Sequence, residues 1–222
     1  MPRKASRQLP AKTYKDLEAA YKHFNARLFG NELPACLITV QRQRKSLGYF
    51  SGARFTRTDQ AGDITDEIAL NPEHFSTQTP EDMLSTLVHE MVHLWQHHFG
   101  KPSRWVAHNR EWAKKMRAVG LISSDTGKPA GKETGRYVSH YIEEGGPFAH
   151  ACAAFLSRHT LTLYHDRAAD DEGRKAARRI KNASKTKFSC KRCGANAWGK
   201  PDLRLICGAC FVDMEARWQI AG

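Results

Sequence analysis

Apolar residues recur at helical spacing over residues 13–29, at Tyr14, Leu17, Tyr21, Phe24 and Leu28, and Gly30 closes the run. That pattern predicts an amphipathic helix. Short β-branched or apolar runs follow at 37–40, around 47–50 and at 67–70, the last two separated by the polar stretch 56–66. They read as three strands. Thr79-Pro80-Glu81-Asp82 is a helix start: Thr79 caps, Pro80 suits the first helical position, and the two acids face the positive end of the helix dipole. Leu84, Leu87, Val88, Met91, Val92 and Trp95 then form one long apolar face, ended by Gly100. Another helix is predicted from Asn109, carrying Trp112, Met116 and Val119 to Gly120, and another after Gly146-Pro147 with Phe148, Ala151, Cys152, Phe155 and Leu156. Residues 123–136 are rich in Gly, Lys and Thr and read as a loop, whereas Leu161 and Leu163 alternate like a strand.

The chain has 222 residues, enough for about 1.5 domains. One main domain with a small addition is therefore expected. Hydrophobic residues make up 41% of the chain, so a core can be buried and wholesale disorder is excluded. No run approaches the ~18 apolar residues of a membrane span, and residues 1–12 are basic without the apolar stretch of a secretory signal. A cytoplasmic protein is expected, nucleoid-associated if bacterial. The pattern divides the chain into a flexible basic tail (1–12), a main domain (13–165), a basic linker (166–187), a cysteine-bearing module (188–214) and a tail (215–222). There is no internal repeat.

Charge adds a partner class. Lys plus Arg number 35 against 23 acids, a formal net charge of +12, which favours polyanions, nucleic acid first. Between 174 and 192 nine basic residues occur without an acid: Arg174, Lys175, Arg178, Arg179, Lys181, Lys185, Lys187, Lys191 and Arg192. Ala176, Ala177, Ile180 and Ala183 are able to sustain a short helix there. Further basic residues gather at Arg42, Arg44, Lys45, Arg54 and Arg57, and at Lys101, Arg104, Arg110, Lys114, Lys115 and Arg117. The last group is expected to flank the mouth of a catalytic site.

That site is marked by His89-Glu90-Met91-Val92-His93, an HExxH motif on the best-defined helix. Residues four apart lie on one helix face, so two imidazoles converge on one Zn²⁺ at ~2.0–2.1 Å. Glu90, one residue off the stripe, is placed to reach water on the ion rather than to ligate it. His97 continues the stripe but lies ~12 Å along the helix from His89, too far for one ion, and His98 points away. His108 is the better third ligand, since it follows a Gly100–Pro102 turn and precedes the next helix. Three neutral imidazoles leave a position for water, whose pKa zinc lowers to ~7. Glu90 then serves as base and later as acid in peptide hydrolysis. Oxyanion donors are open among Tyr137, His140 and Tyr141.

Cys190-Lys-Arg-Cys193 and Cys207-Gly-Ala-Cys210 are two knuckles, with Gly194 and Gly208 relaxing the backbone beside them. Four thiolates close a tetrahedral shell, so this second Zn²⁺ is expected to be structural and to supply the folding free energy of its module. The segment 203–206 looks like a ribbon strand. Trp198, near Phe188 and Phe211, either covers the metal or offers a stacking face to bases beside the basic run. Cys36 and Cys152 stand alone among apolar or small residues and read as core residues rather than nucleophiles.

Together these residues resemble the SprT-like metallopeptidase family, related to the Spartan proteases. The resemblance rests on His89-Glu-Met-Val-His93, on His108 with Trp112 after it, and on the paired-Cys ribbon. It also draws on the segment 21–29, Leu33-Pro34 and Gly48-Tyr49-Phe50, and covers about residues 13–214. It departs from the family at Asn109, where Gly is frequent, and at Trp112, where Phe is. The resemblance implies an α+β, zincin-like catalytic domain with a helix-borne HExxH, plus a small C-terminal zinc ribbon. It implies His89, His93 and His108 as catalytic-zinc ligands and Glu90 as the catalytic residue. By analogy with Spartan, it implies proteolysis of proteins bound or crosslinked to DNA. A monomer is expected, with single-stranded or damaged DNA as partner and no membrane partner. The alternatives are a non-catalytic nucleic-acid-binding adaptor in repair or transcription, with both zincs structural, and a general peptidase indifferent to DNA.

Overall fold

The computed structural model describes residues 9–60, 62–103, 108–167 and 186–217. The chain divides into two compact units, Met1–Asp166 and Arg167–Gly222. Its described residues form a mixed α+β structure of four helices and three small sheets. No helix among them is long and apolar enough to cross a membrane.

In the first unit, α1 spans Leu9–Leu28. It starts before the predicted Thr13 because Pro10 is tolerated in a first turn. Residues 9–12 of the expected tail thus belong to the helix, and residues 1–8 lie outside the described residues. Leu17, Ala20, Tyr21 and Phe24 are buried, whereas Tyr14 is 45% exposed.

Strands β1 (Leu37–Val40), β2 (Gly48–Thr56) and β3 (Ile64–Leu70) form a sheet of order β1-β3-β2. β3 runs parallel to β1 and antiparallel to β2. Most of the expected polar break 56–66 is the β2–β3 connection, since pairing extends out to Thr56 opposite Ile64. Sequence alternation misses this extension because β2 is exposed beyond Gly52. The β2–β3 register shifts between Ser51 and Phe55, a bulge that bends β2.

Helix α2 (Pro80–Phe99) is the central element. A capping box starts it: Asp82 N–H donates to Thr79 Oγ1 at 3.1 Å and Thr79 N–H donates to Asp82 Oδ2 at 3.0 Å. Leu84, Leu87, Val88, Met91, Val92 and Leu94 are buried in the core. Full burial of such a side chain contributes about 1.5–3 kcal/mol relative to exposure. The surrounding core comes from Phe24 and Leu17 of α1, Ile68 and Leu70 of β3, Trp112 and Met116 of α3 (Arg110–Ala118), and Phe148 and Phe155 of α4 (Pro147–Leu156). Asn109 caps α3 by accepting from Trp112 N–H at 3.0 Å, with φ −87°, so no glycine is needed there.

Between α3 and α4 lies an antiparallel pair, β4 (Leu121–Ser124) and β5 (Ser139–Ile142). The predicted loop is therefore shorter, and its first two residues, Ser123 and Ser124, are a buried strand. The strand expected at Leu161 and Leu163 does not form. That segment is pinned to α1 by side chains instead: Thr162 N–H donates to Asp16 and Thr13 Oγ1 donates to Thr162 O.

In the second unit, β6 (Thr186–Ser189), β7 (Asn196–Gly199) and β8 (Glu215–Arg217) form an antiparallel sheet of order β7-β6-β8. The ribbon strands thus differ from the predicted 203–206, where only an isolated bridge joins Ile206 to Asp213. A bidentate Arg204–Asp213 pair at 3.0 Å turns that segment back. The short helix expected around Ala176–Ala183 lies outside the described residues.

Candidate metal centre

Helix α2 carries His89 and His93 one turn apart, and the residue just before the α3 cap, His108, folds back onto them. One nitrogen from each lies within 4.8 Å of the other two. His93 Nε2 and His108 Nε2 are 3.1 Å apart, close to the ~3.3 Å between two nitrogens on one tetrahedral zinc. Trp112 supports all three rings, with centroids 4.8, 5.0 and 4.3 Å from those of His89, His93 and His108. An Asn109 cap and a His108–Gly135 backbone bridge set the position of His108.

Hydrogen bonding fixes which nitrogens are free. Ser85 Oγ donates to Asp82 O at 2.8 Å, so it accepts from His140 Nε2–H at 2.8 Å. His140 Nδ1 is then unprotonated and accepts from His89 Nδ1–H at 3.1 Å. His89 is left with a free lone pair on Nε2. His108 Nδ1–H donates to Gly135 O at 3.1 Å, freeing its Nε2 too. The second nitrogen of a metal-binding imidazole is ordinarily engaged in this way.

Burial keeps the group neutral. Desolvation, reinforced by mutual repulsion among the rings, holds His89 well below its ordinary value. Burial, aided by the neighbouring His108 ring, takes His93 down to about 3. Burial takes His140 to about 4, and it lowers His108. Neutral imidazoles converging on one point, with free Nε2 lone pairs on His89 and His108, suit a borderline dication such as zinc. His97, excluded on distance, is not in this cluster.

Glu90 is buried beside the three histidines and accepts a hydrogen bond from Phe50 N–H of β2. Burial outweighs that bond and raises its carboxyl to about 8. Both lie in a cleft of about 590 Å³, walled by β2 and by the 125–140 segment. Of the three oxyanion candidates, Tyr137 stands at the wall and is 80% exposed. His140 lines the cleft, but both of its nitrogens are engaged. Tyr141 is not part of the lining. Sequence reading missed the His140–Ser85 relay and the Phe50 amide, because each joins elements far apart in the chain.

Basic residues at the cleft are Arg44, Lys45 and Arg136. The group expected at the mouth is elsewhere: Lys115 lies over the Phe29 and Trp95 rings at 5.0 and 4.8 Å, and Arg117 pairs with Glu133. Lys101, Arg110 and Lys114 are not in the lining, and Arg104 lies outside the described residues. Exposure on α3, which sequence alone does not orient, explains the difference.

In the second unit, the Sγ atoms of Cys190, Cys193, Cys207 and Cys210 lie within 4.8 Å of one another. Cys193 and Cys207 are 3.6 Å apart, near the ~3.8 Å expected around one zinc. Both knuckles share a backbone pattern: Gly194 N–H donates to Cys190 O and Phe211 N–H to Cys207 O. The residue after each second cysteine is left-handed, Gly194 at φ 73° and Phe211 at φ 54°. Phe211, not Gly208, is therefore the counterpart of Gly194. The Cys193 amide draws the Cys190 thiol down to about 7, whereas hydrogen bonding to the neighbouring Cys193 pushes Cys210 up to about 12. Four thiols this close ionise together only around a cation.

Phe188 is buried in the ribbon, but Trp198 is 64% exposed with Lys187 Nζ 5.9 Å from its ring centre. Trp198 thus presents a face to solvent rather than sealing the four-cysteine cluster. Arg174, Lys175, Arg178, Arg179, Lys181 and Lys185 lie outside the described residues. Burial raises Cys36 and Cys152, both in the first unit, to about 12.

A family model described as "SprT-like family" matches residues 17–132. An uncharacterised protein encoded 3′ of mucB in Salmonella typhimurium is 50% identical over 56 residues, 25% of this chain and 74% of that protein.

Proposed function

The chain belongs to the SprT-like family, and from that premise we propose that it is a zincin-like zinc endopeptidase acting on proteins bound or crosslinked to DNA. The observation that carries the catalytic part is three imidazoles converging beside a buried carboxyl group in an open cleft, with free Nε2 lone pairs on His89 and His108. In this reading His89, His93 and His108 hold the ion. Zinc bound there supplies Lewis acidity, polarising a carbonyl and acidifying water near neutral pH. A dication held by the three histidines would favour the ionised form of Glu90 against the burial that raises it. Glu90 then takes a proton from the attacking water at its carboxylate and gives it to the departing amine nitrogen. Its burial favours holding that proton, and the Phe50 amide keeps the carboxylate oriented. His140 and Ser85 hold His89 in the tautomer that presents Nε2. Cys190, Cys193, Cys207 and Cys210 hold a structural zinc that folds the second unit.

The DNA part rests on charge and on the ribbon surface. Arg174, Lys175, Arg178, Arg179, Lys181 and Lys185 contribute a phosphate-binding stretch, and exposed Trp198 with Lys187 offers a stacking face for unpaired bases. The test is cleavage of a DNA-bound protein by the full chain, with and without DNA and with and without chelator. Metal-dependent cleavage stimulated by single-stranded DNA is expected. No cleavage in any arm, with DNA binding intact, would leave a nucleic-acid-binding adaptor. Equal turnover without DNA would leave a general peptidase.

A further inference from the structure

The last turn of α2 carries a second cluster of metal-ligating groups, separate from the three-histidine centre. Asp66 of β3, His97 and His98 each place one donor atom within 4.8 Å of the other two. His98 Nε2 is 2.6 Å from Asp66 Oδ2. The other carboxylate oxygen, Oδ1, accepts from Ala53 N–H at 2.7 Å. The Ala53 amide thus orients the carboxylate so that Oδ2 faces the imidazoles, as a neighbouring donor orients a ligating carboxylate.

The backbone around this cluster is shaped to admit it. Ala53 sits in the β2 bulge at φ 50°, a left-handed conformation that is strained for an alanine. That strain aims its amide at Asp66. One residue earlier, Gly52 lies flat against His97. A Cβ there would meet Cε1 at 2.6 Å and Nε2 at 2.8 Å. The His97 and His98 rings, neighbours in sequence, stand 4.9 Å apart and nearly perpendicular at 89°. A simple His98–Asp66 ion pair would need neither the second imidazole nor the side-chain-free approach at Gly52.

We propose that Asp66, His97 and His98 form an additional zinc site, distinct from the three-histidine and four-cysteine clusters. Two imidazoles and one carboxylate suit zinc and its neighbours among the late transition metals rather than magnesium or calcium. The ion replaces the proton between His98 and Asp66. The His98 side chain is 35% exposed, so solvent completes the shell. Occupancy ties the β2 bulge, β3 and the end of α2 together, three residues along β2 from the Phe50 amide that holds Glu90.

The test is the zinc content of the full chain, stripped of metal and then equilibrated with free zinc. His97→Ala and His98→Ala are each expected to bind one equivalent fewer than the wild type. Both side chains are partly exposed, so folding is expected to persist. Gly52→Ala, which keeps every donor but displaces the His97 ring, is expected to weaken that same equivalent by about 10-fold. The wild type is also expected to gain thermal stability on filling this equivalent, and His98→Ala is not. Identical zinc content and identical thermal response in the wild type and all three variants would overturn the site.

Discussion

His140 illustrates how much one side chain outside the ligand set controls. It accepts from His89 and donates to Ser85, and Ser85 in turn donates to the α2 backbone. Without it, the His89 ring is free to protonate or rotate at either nitrogen. His140→Ala is therefore expected to keep the fold but weaken zinc at the three-histidine centre by about 10–100-fold, read by competition with a chromogenic chelator. Ser85→Ala, which leaves the His89–His140 bond in place, is expected to cost less. Equal zinc affinity in His140→Ala and the wild type would remove the relay from the account. At the same scale, the sequence made His89 and His93 legible because a four-residue spacing on a helix fixes a common face. The role of His140 was not legible, because it and its partner are 51 residues apart and meet only when β5 pairs with β4.

The junction between α2 and α3 shows what joins elements here. Glu111 accepts from Lys101 N–H at 2.7 Å and from Gln96 Nε2 at 2.8 Å, closing the C-terminal end of α2. The Lys101 amide, with help from Gln96, holds the Glu111 carboxyl below the ordinary carboxylate range. A carboxyl depressed in the folded state contributes stability above its unfolded pKa of ~4.3, and loses it as pH falls through the folded value. Glu111→Gln is therefore expected to lower stability near neutral pH and to flatten its decline between about pH 5 and 3. Urea titrations of the metal-free chain across that range check this. An acid limb as steep as the wild type would contradict it. Helices α2 and α3 were readable from caps and apolar spacing, which are local signals. The β4–β5 pair, the extended β2 and the ribbon strands at Thr186–Ser189 and Asn196–Gly199 depend on partners distant in sequence. Leu161 and Leu163 alternate as a strand does, but their neighbours' polar groups are satisfied by Thr13 and Asp16 of α1, so no ladder forms.

At the scale of the whole molecule, two units carry different tasks. The first gathers three imidazoles beside a buried carboxyl group at the wall of a cleft, and the second gathers four thiols near an exposed tryptophan. The net charge of +12 and the acid-free run 174–192 predict salt-sensitive DNA binding. Neutralising Arg178, Arg179 and Lys181 together is expected to reduce the slope of log affinity against log salt by about 2–3, measured by fluorescence anisotropy on single-stranded DNA. An unchanged slope would move the phosphate contacts elsewhere. Shared chemistry within a family does not by itself choose a substrate, so the peptidase claim stands apart from the DNA claim. It is tested most directly by Glu90→Gln, with zinc content and cleavage of a protein substrate measured on the same preparation. The account predicts zinc retained at the three-histidine centre and cleavage lowered by about 10²–10⁴-fold. Cleavage at the wild-type rate with zinc in place would contradict it.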